Sequence, residues 1–156
     1  MVRDEVLVYI GVGANLGEAV GTVKHAIATL SQLPLTRQVA ASSLHRSAPV
    51  DTTGPDFINA VVAFKTSLNA YELLANLQQI ELACGRERPY RNAPRTLDLD
   101  LLLFGAARVY SPTLQVPHPR MYERAFVLQP LSEIAPEKVN AVQLRAVAGQ
   151  RIERLV

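Results

Sequence analysis

Residues 91–104 read Arg-Asn-Ala-Pro-Arg-Thr-Leu-Asp-Leu-Asp-Leu-Leu-Leu-Phe, with Gly105 behind them. An arginine- and proline-containing loop gives way to a leucine run broken twice by aspartate. The run reads as a strand over residues 97–104, and side chains alternate along a strand. Asp98 and Asp100 then share one face, with Cα atoms roughly 6.5–7 Å apart. Leu97, Leu99, Leu101 and Leu103 take the other face and pin the register against a helical layer.

The rest of the chain supplies that layer. Residues 5–12 are apolar and rich in β-branched side chains, with Gly11 and Gly13 near the end, and read as a buried strand. Over residues 18–33, Val20, Val23, Ile27 and Leu30 form one helical stripe, closed by Pro34. Residues 38–46 and 57–66 read as an antiparallel pair of strands with a long connection. Residues 69–84 are the clearest helix: Asn69 or Ser67 caps it, Leu73, Leu74, Leu77 and Ile80 line its apolar face, and Gly85 stops it. Helices are also expected over 124–134 and 141–155. The order predicts an α+β fold with its helices on one face of the sheet. It is a ferredoxin-like α/β sandwich with a β-α-β-β-α-β core, a mostly antiparallel sheet and extra C-terminal helices.

Length and composition set the outer limits. A chain of 156 residues suits a single domain over 1–156, and 49% hydrophobic content is enough for a real core. Mean hydropathy is +0.11, yet the longest uncharged apolar run, 6–14, is strand-length, far short of the roughly 18–20 residues of a membrane span. The start of the chain reaches acidic residues at once and lacks a signal peptide's pattern. A single cysteine, Cys84, excludes an internal disulfide framework and a multi-cysteine metal site. Cys84 is expected to be partly buried at a helix end. The expectation is a reduced, cytoplasmic protein with no membrane partner. A net charge of +2 argues against a dedicated nucleic-acid binder.

Beneath that small net charge the arginines are clustered. Thirteen of the sixteen basic residues are arginine, and Arg86, Arg88, Arg91 and Arg95 directly precede the two aspartates. A bare Asp-x-Asp is often only the solvent face of an edge strand. Here the acids interrupt an apolar strand beside four guanidinium forks. Two such carboxylates can converge on one Mg²⁺ or bracket two. Arginine then neutralises the remaining phosphate charge of a metal-bound polyphosphate.

Two nucleotide motifs are ruled out. Gly11-Val-Gly13-Ala-Asn-Leu-Gly17 places its third glycine one position late for a dinucleotide fingerprint, and there is no Gly-Lys-Ser/Thr of a P-loop. The ordinary role of these glycines is a tight turn. A second site is suggested by Phe57 and Asn59, which share a strand face opposite Ile58, Ala60 and Val62. An aromatic plane beside a carboxamide suits a flat heterocycle, although a core phenylalanine beside a turn asparagine is the plainer reading. The segment from Pro117 to Phe126 adds His118, Arg120, Arg124 and Phe126, with His118 placed either as a phosphate donor or as a surface loop residue. His25 and His45 are expected at the surface.

Taken together, Arg91-x-x-Pro-Arg-Thr-Leu-Asp-Leu-Asp-Leu-Leu-Leu-Phe-Gly105 resembles the signature of the 6-hydroxymethyl-7,8-dihydropterin pyrophosphokinases. The similarity continues in Tyr9–Gly17, Pro55–Ala60, Ile80-Glu81, Gly85-Arg86-x-Arg88, Val116-Pro-His118, Arg124–Leu131 and Glu133–Pro136. The resemblance implies transfer of a pyrophosphoryl group from ATP to the pterin hydroxymethyl group, with release of AMP. It implies that Asp98 and Asp100 hold two Mg²⁺ ions and orient the pterin hydroxyl, and that Arg86 and Arg95 are phosphate-contacting loop arginines. Gln78, Glu81, Arg88, His118 and Arg124 match the ATP side. Phe57 and Phe126 match rings that sandwich the pterin, and Asn59 the amide that binds it. Ser47 and Val50 match the remaining pterin contacts. A monomer is implied as well.

The chain departs from the family pattern at Asn92, where tryptophan is frequent, at Pro119, where an aromatic is common, and at Ser47-Ala48 in place of Thr-Pro. Loops 13–18, 48–55 and 86–94 are the expected moving parts. Two other readings stand beside the pyrophosphokinase: another Mg²⁺-dependent phospho- or nucleotidyltransferase using the same aspartates, and a non-catalytic ferredoxin-like binding module.

Overall fold

The computed structural model describes residues 3–15, 17–49, 54–85 and 97–155. Its centre is β1 (Val6–Ala14), flanked by β4 (Phe57–Thr66) on one side and β5 (Asp98–Phe104) on the other. Beyond β4 lie β2 (Thr36–Ala41) and β3 (His45–Ser47), and β8 (Ile152–Arg154) pairs with β3. Every described pairing is antiparallel. Helices α1 (Ala19–Leu30), α2 (Ala70–Cys84), α3 (Ala125–Ile134) and α4 (Ala141–Ala146) complete a mixed α/β fold. A small ribbon, β6 (Val109–Tyr110) with β7 (Gln115–Val116), leads to a cis Val116–Pro117 bond.

The sheet is covered on both faces. Val8, Ile10, Val12, Ala60, Val62, Phe64, Leu99 and Leu101 pack against Val23 and Leu30 of α1 and Leu73 and Leu77 of α2. Tyr9, Val61 and Ala63 point the other way, onto Leu128 and Leu131 of α3. This corrects the one-sided helical layer expected from the sequence. The cause is visible in β1 and β4, which are buried along nearly their whole length. Strands apolar on both faces need a second layer. At α2, Asn69 accepts from Glu72 N and Glu72 accepts from Asn69 N, both at 2.8 Å. Such a capping box contributes about 1 kcal/mol.

Several expectations change. The strand expected over 38–46 is two strands, because at the break Ser42 Oγ accepts from Val61 N at 2.9 Å in place of a backbone carbonyl. The helix expected over 141–155 ends early; the chain turns through Gly149 and returns as β8, satisfying the edge of β3. Leu103 does not share a face with Leu101: the β1–β5 register shifts between Tyr9 and Ile10, leaving Leu102 as an extra residue and turning Leu103 towards α3. His45 is buried, not at the surface, with Nε2 3.0 Å from Glu133 Oε2 and Nδ1 3.1 Å from Ser43 O. Cys84 is exposed.

Candidate active site

The site is built on the middle of β1. Gly11 stands opposite Asp100 and Gly13 opposite Asp98 on β5, while on β4 Gly13 stands opposite Asn59. In-register partners share a face, so both acids and the carboxamide rise from the side that α3 covers. With no side chains at Gly11 and Gly13, a cavity of about 380 Å³ opens above them, and Phe57, Ala48, His118, Arg120, Arg124 and Phe126 are among the other residues that line it. Asp98 and Asp100 therefore line a cavity, on what is also the edge strand of the sheet. The turn role expected for Gly11 and Gly13 is also corrected: they lie within the strand, and the turn residue is Gly17, with φ of 59°.

The electrostatics centre on Asp100. His118 Nε2 is 3.9 Å from Asp100 Oδ1, and Arg124 Nη1 is 3.7 Å from Asp100 Oδ2. Both separations exceed hydrogen-bond length, so Arg124 compensates the carboxylate's charge and neither neighbour locks it in place. His118 Nδ1 accepts from Arg120 N at 3.1 Å, which leaves the proton of a neutral ring on Nε2, facing the acid. Burial pushes the His118 pKa below its ordinary 6.5; Asp100 opposes this, and Arg124 and Arg120 reinforce it. His118 also donates its backbone N–H to the carbonyl of Leu102, the bulged residue, at 2.9 Å. The bulge thus positions the histidine. The guanidinium of Arg124 lies 5.3 Å from the centroid of Phe126, a cation–π contact that fixes both.

The β4 side of the cavity is neutral. Asn59 is buried, and Ser47 Oγ donates to its Oδ1 at 2.6 Å. That bond leaves the amide nitrogen over Gly13, where an added Cβ would come within 3.0 Å of Nδ2. Phe57 and Phe126 are half-buried and both line the cavity.

The described structure thus brings Asp98, Asp100, His118, Arg124, Phe57, Asn59 and Phe126 together, with Ser47 behind Asn59. Gln78 is exposed on α2 and does not line the cavity. The Glu81 carboxylate accepts from Leu99 N at 2.8 Å, tying α2 to β5 between the two acids. Arg86, Arg88, Arg95 and Val50 lie outside the described residues. Gly11 and Gly13 carry no site role in the sequence reading, whereas Arg120 appears there only as part of the segment from Pro117 to Phe126. The signal for the glycines was their spacing of two in a strand, which clears one face.

Carboxylates and cations beside an aromatic pair and a held amide: this is the equipment of an enzyme that transfers a phosphate-containing group to a flat acceptor. The family model described as 7,8-dihydro-6-hydroxymethylpterin-pyrophosphokinase matches residues 9–136. The chain belongs to that family. A Pseudomonas aeruginosa protein named 2-amino-4-hydroxy-6-hydroxymethyldihydropteridine pyrophosphokinase is 47% identical over 150 residues, covering 96% of this chain and 89% of the relative. The Bacillus subtilis protein of the same name is 44% identical over 132 residues, 84% of this chain and 79% of the relative. A Pneumocystis carinii protein named "Folic acid synthesis protein fol1" is 37% identical over 147 residues, 94% of this chain but 20% of that longer protein.

Proposed function

We propose that ATP and 6-hydroxymethyl-7,8-dihydropterin meet in this cavity, and that the chain is the ATP-dependent pyrophosphokinase of folate synthesis. The observation that carries the reading is the shared face: Asp98 and Asn59 stand on either side of Gly13, and Asp100 beside Gly11 lies two residues along the same face. The pterin hydroxyl oxygen attacks the β-phosphorus of ATP. The new O–Pβ bond forms as the bond from Pβ to the α,β-bridging oxygen breaks, AMP leaves with that oxygen, and the hydroxyl proton passes to water.

Asp98 and Asp100 would hold Mg²⁺. Among the described residues no cluster of three or more His, Cys, Asp or Glu gathers. Two hard oxygen donors fit an ion that takes its other ligands from phosphates and water. Bound there, two such ions would neutralise the polyphosphate. Phe57 and Phe126 hold the pterin ring between them, Asn59 reads its edge with Ser47 behind it, and Val50 is assigned to the same substrate by the family resemblance. His118, neutral, directs its Nε2–H at the phosphates, and Arg124, Arg86 and Arg95 neutralise the transferred group. Gln78, Glu81 and Arg88 belong to the nucleotide side. Catalysis on this account is positioning and electrostatics.

The same reading treats residues 1–156 as one domain and a monomer, acting in the cytoplasm on small molecules without nucleic acid or membrane. No helix among the described residues is long and apolar enough to cross a membrane. The strand order β5-β1-β4, followed by β2 and β3, supports a ferredoxin-like core. Product analysis with ATP, Mg²⁺ and the reduced pterin tests the reaction: AMP is expected, and ADP or free pyrophosphate would instead favour another phospho- or nucleotidyltransferase.

A further inference from the structure

Residues 150–152 belong to none of the motifs above, yet the segments that carry the ring end of the cavity are fastened to them. Gln150 Oε1 accepts from Ala125 N, and its Nε2 donates to Glu123 O, both at 2.8 Å. One carboxamide therefore spans the backbone on either side of Arg124 and fixes the start of α3, which carries Phe126. The Arg151 guanidinium grips Asp56 with two donors, Nη2 to Oδ1 at 2.7 Å and Nη1 to Oδ2 at 3.2 Å. Asp56 directly precedes Phe57. The carbonyl of Arg151 accepts from Ala48 N at 3.1 Å, and Ile152 pairs with Ser47. The acid end is held by different contacts: Glu81 to Leu99 N, and Leu102 O to His118 N.

We infer that Gln150 and Arg151 are positioning residues for the acceptor half of the site. Arg151 sets Phe57 through Asp56, and Gln150 sets Arg124 and Phe126 through the backbone of residues 123–125. The inference rests on the proposed function, because it takes Phe57 and Phe126 as the pterin rings. A two-donor fork gives orientation as well as attraction, and a ring displaced by a fraction of an ångström loses its stacking geometry. The two residues separate by ligand. Loosening Arg151 disturbs the ring side alone, whereas loosening Gln150 disturbs the ring side and, through Arg124, the phosphate side.

Calorimetric titration of the folded chain with the reduced pterin, and separately with Mg²⁺ and the α,β-methylene analogue of ATP, tests this. Arg151→Ala should weaken pterin binding roughly tenfold and leave the nucleotide analogue within about twofold of wild type. Asp56→Asn should show the same selective loss, and the reversed pair Asp56→Arg with Arg151→Asp should recover most of it. Gln150→Ala should weaken both ligands. Equal loss of both ligands in Arg151→Ala would overturn the inference, because that is the mark of a general structural role. Asn59→Ala serves as the control. If it loses the pterin while Arg151→Ala and Asp56→Asn bind normally, the brace is wrong and the site stands. If it also binds normally, the site assignment itself has failed.

Discussion

Ser47 and Asn59 are joined across the β3–β4 ladder by a 2.6 Å hydrogen bond from hydroxyl to amide oxygen, both side chains being buried. The bond decides which end of the amide meets the cavity. With Oδ1 occupied, the NH₂ group faces Gly13 and the space above it. Ser47→Ala should release that constraint and leave a buried oxygen without its donor. The pterin KM should rise about fivefold, the weight of one hydrogen bond at about 1 kcal/mol, with kcat and the ATP KM little changed. Steady-state kinetics with each substrate varied in turn checks this; an unchanged pterin KM would remove Ser47 from the account.

Space, not backbone freedom, requires glycine at position 13. An alanine Cβ there would sit 3.0 Å from Asn59 Nδ2, tighter than ordinary contact, so the amide must swing away. At Gly11 the nearest atoms to a Cβ are those of Leu102, at 3.6 Å, ordinary van der Waals distance. Gly13→Ala should therefore impair pterin binding more than Gly11→Ala, by roughly fivefold or more on the same hydrogen-bond scale. Pterin dissociation constants for the two variants, measured side by side, settle the order.

Asp98→Asn and Asp100→Asn keep size and burial but remove the charge proposed to hold Mg²⁺. Each should lower kcat by about a hundredfold or more. Neither should cost more than about 0.5 kcal/mol of stability, because both residues line a polar cavity. A variant that keeps most of its Mg²⁺-dependent turnover would refute the metal assignment. Thermal unfolding alongside the kinetics separates lost chemistry from lost fold.

The Asp56–Arg151 pair carries a pH dependence whose sign follows from its direction. The hydrogen bond from Arg151 holds the Asp56 carboxyl below its ordinary 3.8. A carboxyl with a depressed folded-state pKa stabilises the fold above the unfolded value and loses that contribution as pH falls through the folded one. The stability gap between wild type and Arg151→Ala should thus stay constant from neutral pH to about pH 5 and close below about pH 3.8. Urea unfolding at several pH values reads it directly. A gap that persists in acid would mean that the pair is not what the substitution removes.

Much of this fold is written in local pattern. The alternation around Asp98 and Asp100 marks β5 because an acid among leucines reveals which face is which. It fails at Leu102, where three successive leucines conceal a bulge: either facing satisfies the pattern, and only the pairing with β1 selects one. Gly11 and Gly13 mislead for a related reason. Their use lies in what stands across from them, Asp100 and Asp98, a relation set by long-range register. His45 reads as a surface residue until α3 brings Glu133 to it. The tail resembles a helix through residue 155 because Ala, Val and Leu recur at helical spacing, but the unpaired edge of β3 draws residues 152–154 into the sheet. Among the candidate site residues, alternation puts Asp98 and Asp100 on one face and Phe57 and Asn59 on another but leaves the last two open to a plain core reading, and His118, Arg124 and Phe126 stand out only through their motif. The supports behind them, at residues 150 and 151, come from distant segments and leave no local mark.

On the proposed function the β-phosphorus of ATP is the atom attacked, and one measurement addresses this directly. Wild-type protein is incubated with Mg²⁺, the reduced hydroxymethylpterin and ATP labelled at the β-phosphorus. The account predicts that the label appears in a pterin diphosphate, matched mole for mole by unlabelled AMP. Label retained in ADP, or a pterin carrying the nucleotide's α-phosphorus, would contradict it.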